Sequence, residues 1–193
     1  MKLSPVNPFR SPIWQGEFDF SKLNIIPKIE QAVSKHGDQL MREPNFSTTP
    51  PEIQPHTWDE FQPFMNWIND AAGEIWNEWD LLPLNRYITN SHLNKITSGY
   101  ALREHAHPGV DLVVTGYINV PDGAGNLAVR DPNDYQWQNL PIDGHPSAAW
   151  REIPVKTNIV LIFPGWLYHR TIQSQTDLPR YVITVMIRSR LAQ

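Results

Sequence analysis

A change of hydrophobic rhythm at Leu84 constrains this chain more than any other feature. Upstream, apolar residues recur at helical spacings. Downstream, the chain breaks into short runs rich in Val, Ile, Thr, Tyr and Phe, closed by Gly, Pro, Asn or Asp. Eight runs read as strands: 86–96, 100–107, 112–120, 126–130, 150–153, 158–163, 169–173 and 180–188. That many short strands point to a jelly roll or a related barrel. Pro121-Asp122-Gly123-Ala124-Gly125 is a turn signal between the third and fourth runs and predicts a hairpin there. The stretch 131–149, with Pro132, Asn133, Pro141, Gly144 and Pro146, reads as a long loop over the barrel mouth.

The part before Leu84 reads as mostly helical. Ile25, Ile29 and Val33 recur every four residues and predict an amphipathic helix over 25–35, with Gly37 as its stop. The Pro-, Ser- and Thr-rich stretch 43–55 reads as a surface loop. Thr57-Trp58-Asp59-Glu60 has the form of a capping box, opening a helix that runs to about Trp79. Its stripe of Phe61, Phe64, Met65, Ile68, Ala72, Ile75, Trp76 and Trp79 must face something apolar, and the outside of the larger sheet is the surface to cover. The expectation is a mainly β protein with flanking helices. Residues 1–83 pack on a barrel formed by 84–193, and the 193-residue chain makes one domain.

Composition excludes several classes. With 40% hydrophobic and 19% charged residues the chain is globular rather than disordered. A formal charge of −4 with no basic block gives no strong nucleic-acid signal. No run of ~18 apolar residues and no secretory leader is present, so a membrane role is not expected. The absence of Cys removes disulfides, thiolate ligands and a Cys nucleophile, and fits a cytoplasmic location. The aromatic-rich helical third is a surface that a homodimer contact could cover.

Seven histidines remain to be sorted. His36 follows a helix, while His56 and His145 sit in polar, Pro-flanked loops; all three read as solvated. His92, in a strand, reads as a pocket or packing residue. His105 and His107 are different, because side chains two apart on an extended segment project from one face and can share a metal ion. The apolar run 159–163 is a buried strand ended by Pro164-Gly165, and His169 follows where a strand on the opposite sheet restarts. A face of three such ligands leaves metal positions open for a chelating substrate and O₂. Arg180, 11 residues on, enters the apolar strand Tyr181-Val182-Ile183-Thr184-Val185-Met186-Ile187. A buried cation needs an anionic partner, either a structural Asp or Glu or the carboxylate of a ligand.

Taken in order, His105-Ala106-His107-Pro108-Gly109, Gly125-Asn126-Leu127-Ala128-Val129-Arg130-Asp131-Pro132, Phe163-Pro164-Gly165-Trp166-Leu167-Tyr168-His169 and Asp177-Leu178-Pro179-Arg180 resemble the non-haem Fe(II)- and 2-oxoglutarate-dependent oxygenases, in particular a phage and bacterial branch of that superfamily. The resemblance implies a double-stranded β-helix with iron near one open end. It implies Fe(II) held by His105, His107 and His169, and 2-oxoglutarate chelated through its keto-acid end. Arg180 then pairs with the far carboxylate, and Tyr117 makes a second contact to this cosubstrate. O₂ would be spent in releasing succinate and CO₂ while a small-molecule or peptide substrate is hydroxylated. Three departures stand out. The superfamily has Asp or Glu where His107 stands, Val182 replaces a hydroxyl residue two after the Arg, and Ile118-Asn119 replaces a tandem Tyr. Asp111 is the second choice for the missing carboxylate. A straight strand would put it roughly 13 Å beyond His107, at about 3.3 Å per residue, but Pro108-Gly109 could turn the chain back. Without a carboxylate the site should lose metal easily and exchange Fe for Ni, Co or Zn. Arg130, Tyr135 and Trp137 are the substrate-contact candidates, the last two on a lid formed by 131–149; for Arg130 a surface ion pair is the plainer reading.

Two rival readings stay open. Gly99, His105, His107, Asp111 and Gly116 approximate the first cupin motif and 164–169 the second, which would give a metal-dependent dioxygenase or isomerase with no use for Arg180. A non-catalytic jelly-roll binding protein would keep the His cluster as structure alone.

Overall fold

The computed structural model describes residues 13–40, 45–79, 81–82, 84–133 and 149–190, with the backbone alone over 34–40. Among the described residues, nine strands and two α-helices follow in the order β1 (Trp14–Glu17), α1 (Ile26–Leu40), β2 (Phe46–Thr48), α2 (Gln62–Glu78), β3 (Asn85–Ile96), β4 (Leu112–Asn119), β5 (Leu127–Arg130), β6 (Trp150–Ile153), β7 (Ile159–Pro164), β8 (His169–Thr171) and β9 (Arg180–Arg190). A large antiparallel sheet has the order β1-β7-β4-β9-β3-β2, and a small one the order β6-β5-β8. This is the double-stranded β-helix, mainly β with helices to one side.

The large sheet carries apolar residues on both faces, which is why β4, β7 and β9 read as nearly continuous apolar runs rather than alternating ones. Val114, Val160, Ile162, Ile183 and Val185 point outward and pack with Ile29 and Val33 of α1 and with Phe64, Ile68 and Ile75 of α2. Val113, Tyr117, Leu161, Phe163 and Val182 point inward and meet Leu127 and Val129 of the small sheet. Each fully buried side chain of this size stabilises the fold by about 1.5–3 kcal/mol. The stripe on α2 is buried as its period demands, except that Trp79 is half-exposed and tilts against Trp14, ring centroids 4.8 Å apart.

Local chemistry departs from the expectations at several points. The turn at 121–125 does not close a hairpin: β4 belongs to the large sheet and β5 to the small one, so the turn carries the chain between sheets. No regular strand covers 100–107. That stretch follows the edge of β8 through Thr171 N–H to Leu102 O (3.1 Å) and Ser174 N–H to Tyr100 O (3.1 Å), with one bridge at His105. The capping box does not form, because the Thr57 hydroxyl donates backward to Gln54 O and two short 3₁₀ turns precede α2. α1 runs through Gly37 to Leu40. Within the supposed surface loop, β2 pairs with β3 and Phe46 is buried; β1, on the far edge, also had no sequence signal.

Candidate metal centre

His105 and His169 are brought together by the backbone. Each donates its N–H to the other's carbonyl, at 3.0 and 2.9 Å, as an antiparallel bridge. His107 is set by a second contact, its N–H to Gly165 O at 2.8 Å. Gly165 must lack a side chain here: a Cβ would lie 2.1 Å from Val110 O and 2.8 Å from His107 O. The loop that carries His107 can therefore lie directly on the turn between β7 and β8. The HxH pair thus shares one side, as the spacing predicts, although an irregular segment rather than a strand holds it.

The three rings converge. Centroids are 4.2 Å apart for His105–His169, 5.1 Å for His105–His107 and 5.3 Å for His107–His169, and one ring nitrogen from each lies within 4.8 Å of the others. Nδ1 of His105 lies 2.8 Å from Arg103 O, and Nδ1 of His169 lies 2.9 Å from Leu167 O. A carbonyl can only accept, so both Nδ1 atoms carry the hydrogen, which leaves Nε2 of each ring as the atom that can face a metal. This carbonyl-to-imidazole contact is how proteins orient metal-binding histidines. Burial lowers the His107 pKa to about 4, with the His105 charge adding to the effect. Burial also lowers His169 to about 3, against the Leu167 carbonyl, which favours the charged form. Both rings are neutral at pH 7 and free to coordinate. Three imidazoles fit a divalent first-row metal.

Asp111 is placed elsewhere. The turn at Pro108-Gly109 does bend the chain, with Gly109 at φ 78°, but the Asp111 carboxylate accepts from Ser189 N–H at 2.6 Å and Ser189 Oγ–H at 2.7 Å. It is not in the cluster with the histidines.

Arg180 starts β9 on its inner face and is only 2% exposed. Nη1 donates to Ala124 O at 3.3 Å and Gly125 O at 2.9 Å, whereas Nε has no partner and no carboxylate pairs with the guanidinium among the described residues. Burial accordingly lowers its pKa. The cradle depends on Gly125, at φ 79°, where a Cβ would meet Ile172 O at 2.1 Å. The guanidinium sits 5.9 Å from the ring centroid of Tyr117, whose hydroxyl is pushed up to about 12 by burial and so remains protonated. Arg180, Tyr117 and the three histidines line one cavity, a cationic end facing a nitrogen-lined end. That arrangement suits an anion that also reaches a metal.

The same cavity exposes His92 on β3, expected from its strand to be a pocket or packing residue, and groups that sequence reading passed over: Asn94 on the same strand, and Thr115 opposite Thr184 across β4 and β9. The signal was available, since each Thr interrupts an otherwise apolar strand. The hydroxyl missing at Val182 is supplied one step further along the same face, at Thr184. His56, expected to be solvated, is half-buried with Nδ1 2.8 Å from Ser91 Oγ. The side chain of His36 and all of His145, Tyr135 and Trp137 lie outside the described residues. Arg130 pairs with Glu104, Nη1 to Oε1 at 3.0 Å, beside a groove shared with Asp131, Trp166 and Tyr168.

Comparisons with known proteins agree with this geometry. No curated protein matches the sequence. Among solved structures the chain is similar to a prolyl-4-hydroxylase from Pseudomonas putida (14% identity, 92% of each chain covered, TM-score 0.62). It is also similar to HygX from Streptomyces hygroscopicus with nickel and 2-oxoglutarate bound (12% identity, 91% of this chain and 82% of that one, TM-score 0.60). A third is the viral collagen prolyl hydroxylase from Paramecium Bursaria Chlorella virus-1 (11% identity, 94% and 96%, TM-score 0.58). At such identities these likenesses establish the fold. A sequence-family profile described as "Putative 2OG-Fe(II) oxygenase" matches residues 90–185, the span that carries the three histidines and Arg180. The chain therefore belongs to the Fe(II)- and 2-oxoglutarate-dependent oxygenases and is an enzyme of that class.

Proposed function

We propose that His105, His107 and His169 hold the iron as a three-histidine face, and that Arg180 and Tyr117 hold the distal carboxylate of 2-oxoglutarate. The observation that carries this assignment is the convergence of three ring nitrogens within 4.8 Å, two of them with tautomers fixed by backbone carbonyls. Together, bound iron and 2-oxoglutarate supply the oxidising power: O₂ gives one oxygen atom to succinate, with loss of CO₂, and the other to a substrate C–H bond. The chain's own residues orient and dry the site. Arg180 offers Nε, left without a protein partner, to the dicarboxylate; the Tyr117 phenol, protonated at neutral pH, can donate to it. Thr115 and Thr184 add hydroxyls at the same wall. Asp111, committed to Ser189, is the less supported ligand.

Arg180, buried and paired with no acid among the described residues, favours this reading over a cupin-type enzyme, which has no use for it. We read residues 1–193 as one oxygenase domain. We also assign it a cytoplasmic working place, which the absence of Cys supports, and a homodimer contact on the helical layer, where Leu81 and Leu82 are exposed at the end of α2. No helix among the described residues is long and apolar enough to cross a membrane. Anaerobic titration with Fe(II) and then 2-oxoglutarate tests the assignment. A visible charge-transfer band should grow to one equivalent and vanish in His169→Ala, and its persistence in that variant would reassign the ligands.

A further inference from the structure

A second cavity, of about 460 Å³, opens beside the metal cluster between β3 and the segment that follows β2. It shares His92, His105 and His107 with the metal cavity, so whatever fills it lies against the metal. Its apolar walls are Phe46, Pro50, Pro51 and Leu102, and no Lys, Arg, Asp or Glu among the described residues lines it. Three polar groups that line it have no hydrogen-bond partner among the described residues: Asn90 Oδ1 and Asn94 Oδ1, both buried, and the His92 ring. A buried polar atom left unpaired is costly, and each one needs an explanation, of which a bound partner is one. Asn90 and His92 are two residues apart on one strand face, hence about 7 Å from each other along β3.

We propose that this cavity receives the oxidisable substrate, and that the substrate is an uncharged compound with an apolar body and hydrogen-bond donors. Asn90 Oδ1 would accept an amide or hydroxyl hydrogen and His92 would hold a second polar group nearer the metal; both are positioning residues that set specificity. An ammonium group entering here would lose its hydration and find no counter-charge among the described residues, and a carboxylate would find none apart from the metal at the mouth. The nearby groove with Arg130 and Asp131 has the opposite character, so charge alone separates the two surfaces. The proposal rests on the three-histidine reading of the metal centre, because the cavity's meaning depends on metal lying at its mouth.

The test uses the full chain loaded with Mn(II) and 2-oxoglutarate, and three probes of one carbon skeleton: cyclohexanecarboxamide, cyclohexanecarboxylate and cyclohexylmethylammonium. Manganese shortens the proton relaxation of any probe that binds close to it, relative to a Zn(II)-loaded control. The amide should show at least fivefold stronger enhancement than either ion. Asn90→Leu or His92→Phe should reduce that enhancement at least fivefold, with Mn(II) affinity by electron spin resonance unchanged. Asn90→Asp, which keeps the shape, should turn the preference toward the ammonium probe. Equal enhancement of the carboxylate, enhancement of none of the three, or indifference to all three variants would overturn the proposal. Failure to retain Mn(II) at all is read separately in the spin-resonance signal and would remove the metal assignment, and this proposal with it.

Discussion

Arg180→Met should move two measured quantities differently. In the free protein the guanidinium is buried and, among the described residues, Nε has no partner while Nη1 donates to Ala124 O and Gly125 O. Removing it relieves a desolvation cost of several kcal/mol. It also leaves two carbonyls dry at about 1–3 kcal/mol each. The terms nearly cancel, so the stability of the cofactor-free protein should change by less than about 2 kcal/mol in urea denaturation. Binding of 2-oxoglutarate has no such cancellation. Truncating one side of a buried charge pair costs about 2–5 kcal/mol, which is roughly a 30-fold to several-thousand-fold loss at 1.4 kcal/mol per tenfold. Calorimetric titration of Ni(II)-loaded protein measures the loss. 2-Oxobutanoate, which chelates a metal but has no distal carboxylate, serves as the control and should bind both proteins equally. A loss under threefold for 2-oxoglutarate, or an equal loss for 2-oxobutanoate, would refute the assignment of Arg180. Unfolding of the variant would show instead that the cation is structural.

Gly165→Ala should disrupt the metal centre, because its Cβ would meet the Val110 and His107 carbonyls; metal affinity should fall at least tenfold in chelator competition, and unchanged affinity would mean that the 107–111 loop is not what positions His107. His107→Asp restores a negative ligand, so the variant should keep Fe(II) against a chelator that strips the parent chain; faster loss from the variant would contradict the charge argument. At the helical layer, burial pushes the Glu30 carboxyl up, but hydrogen bonds from Lys95 and Tyr181 outweigh it and hold the pKa below the usual 4.5. A depressed carboxylate stabilises the fold above its unfolded pKa and loses that effect as pH falls through the folded one. The stability difference between the parent chain and Glu30→Gln should therefore shrink as pH is lowered from 6 to 3, and a difference that grows would have the wrong sign.

Much of the architecture was legible because burial on both faces leaves a plain mark: β4, β7 and β9 are nearly continuous apolar runs, and α2 carries its stripe at helical spacing. Short elements left none. β1 and β2 are held by their neighbours across the sheet, and three or four residues carry too little pattern to announce pairing. The turn at 121–125 was visible, but not which sheet the next strand would join, since that is decided by packing across the barrel. At the metal centre, the identities of His105, His107, His169 and Arg180 could be read from spacing and resemblance. Their supports could not: Arg103 O, Leu167 O and Gly165 act through backbone atoms, which sequence does not display. His92 reads as a pocket or packing residue from its strand alone, but Asn94 escaped notice because its role depends on which face of β3 turns inward.

Anomalous diffraction at the iron edge, from crystals loaded anaerobically with Fe(II), addresses the three-histidine centre most directly. One peak should lie about 2 Å from a single ring nitrogen of each of His105, His107 and His169. A peak bound to Asp111, or one that leaves any of those three rings uncoordinated, would contradict it.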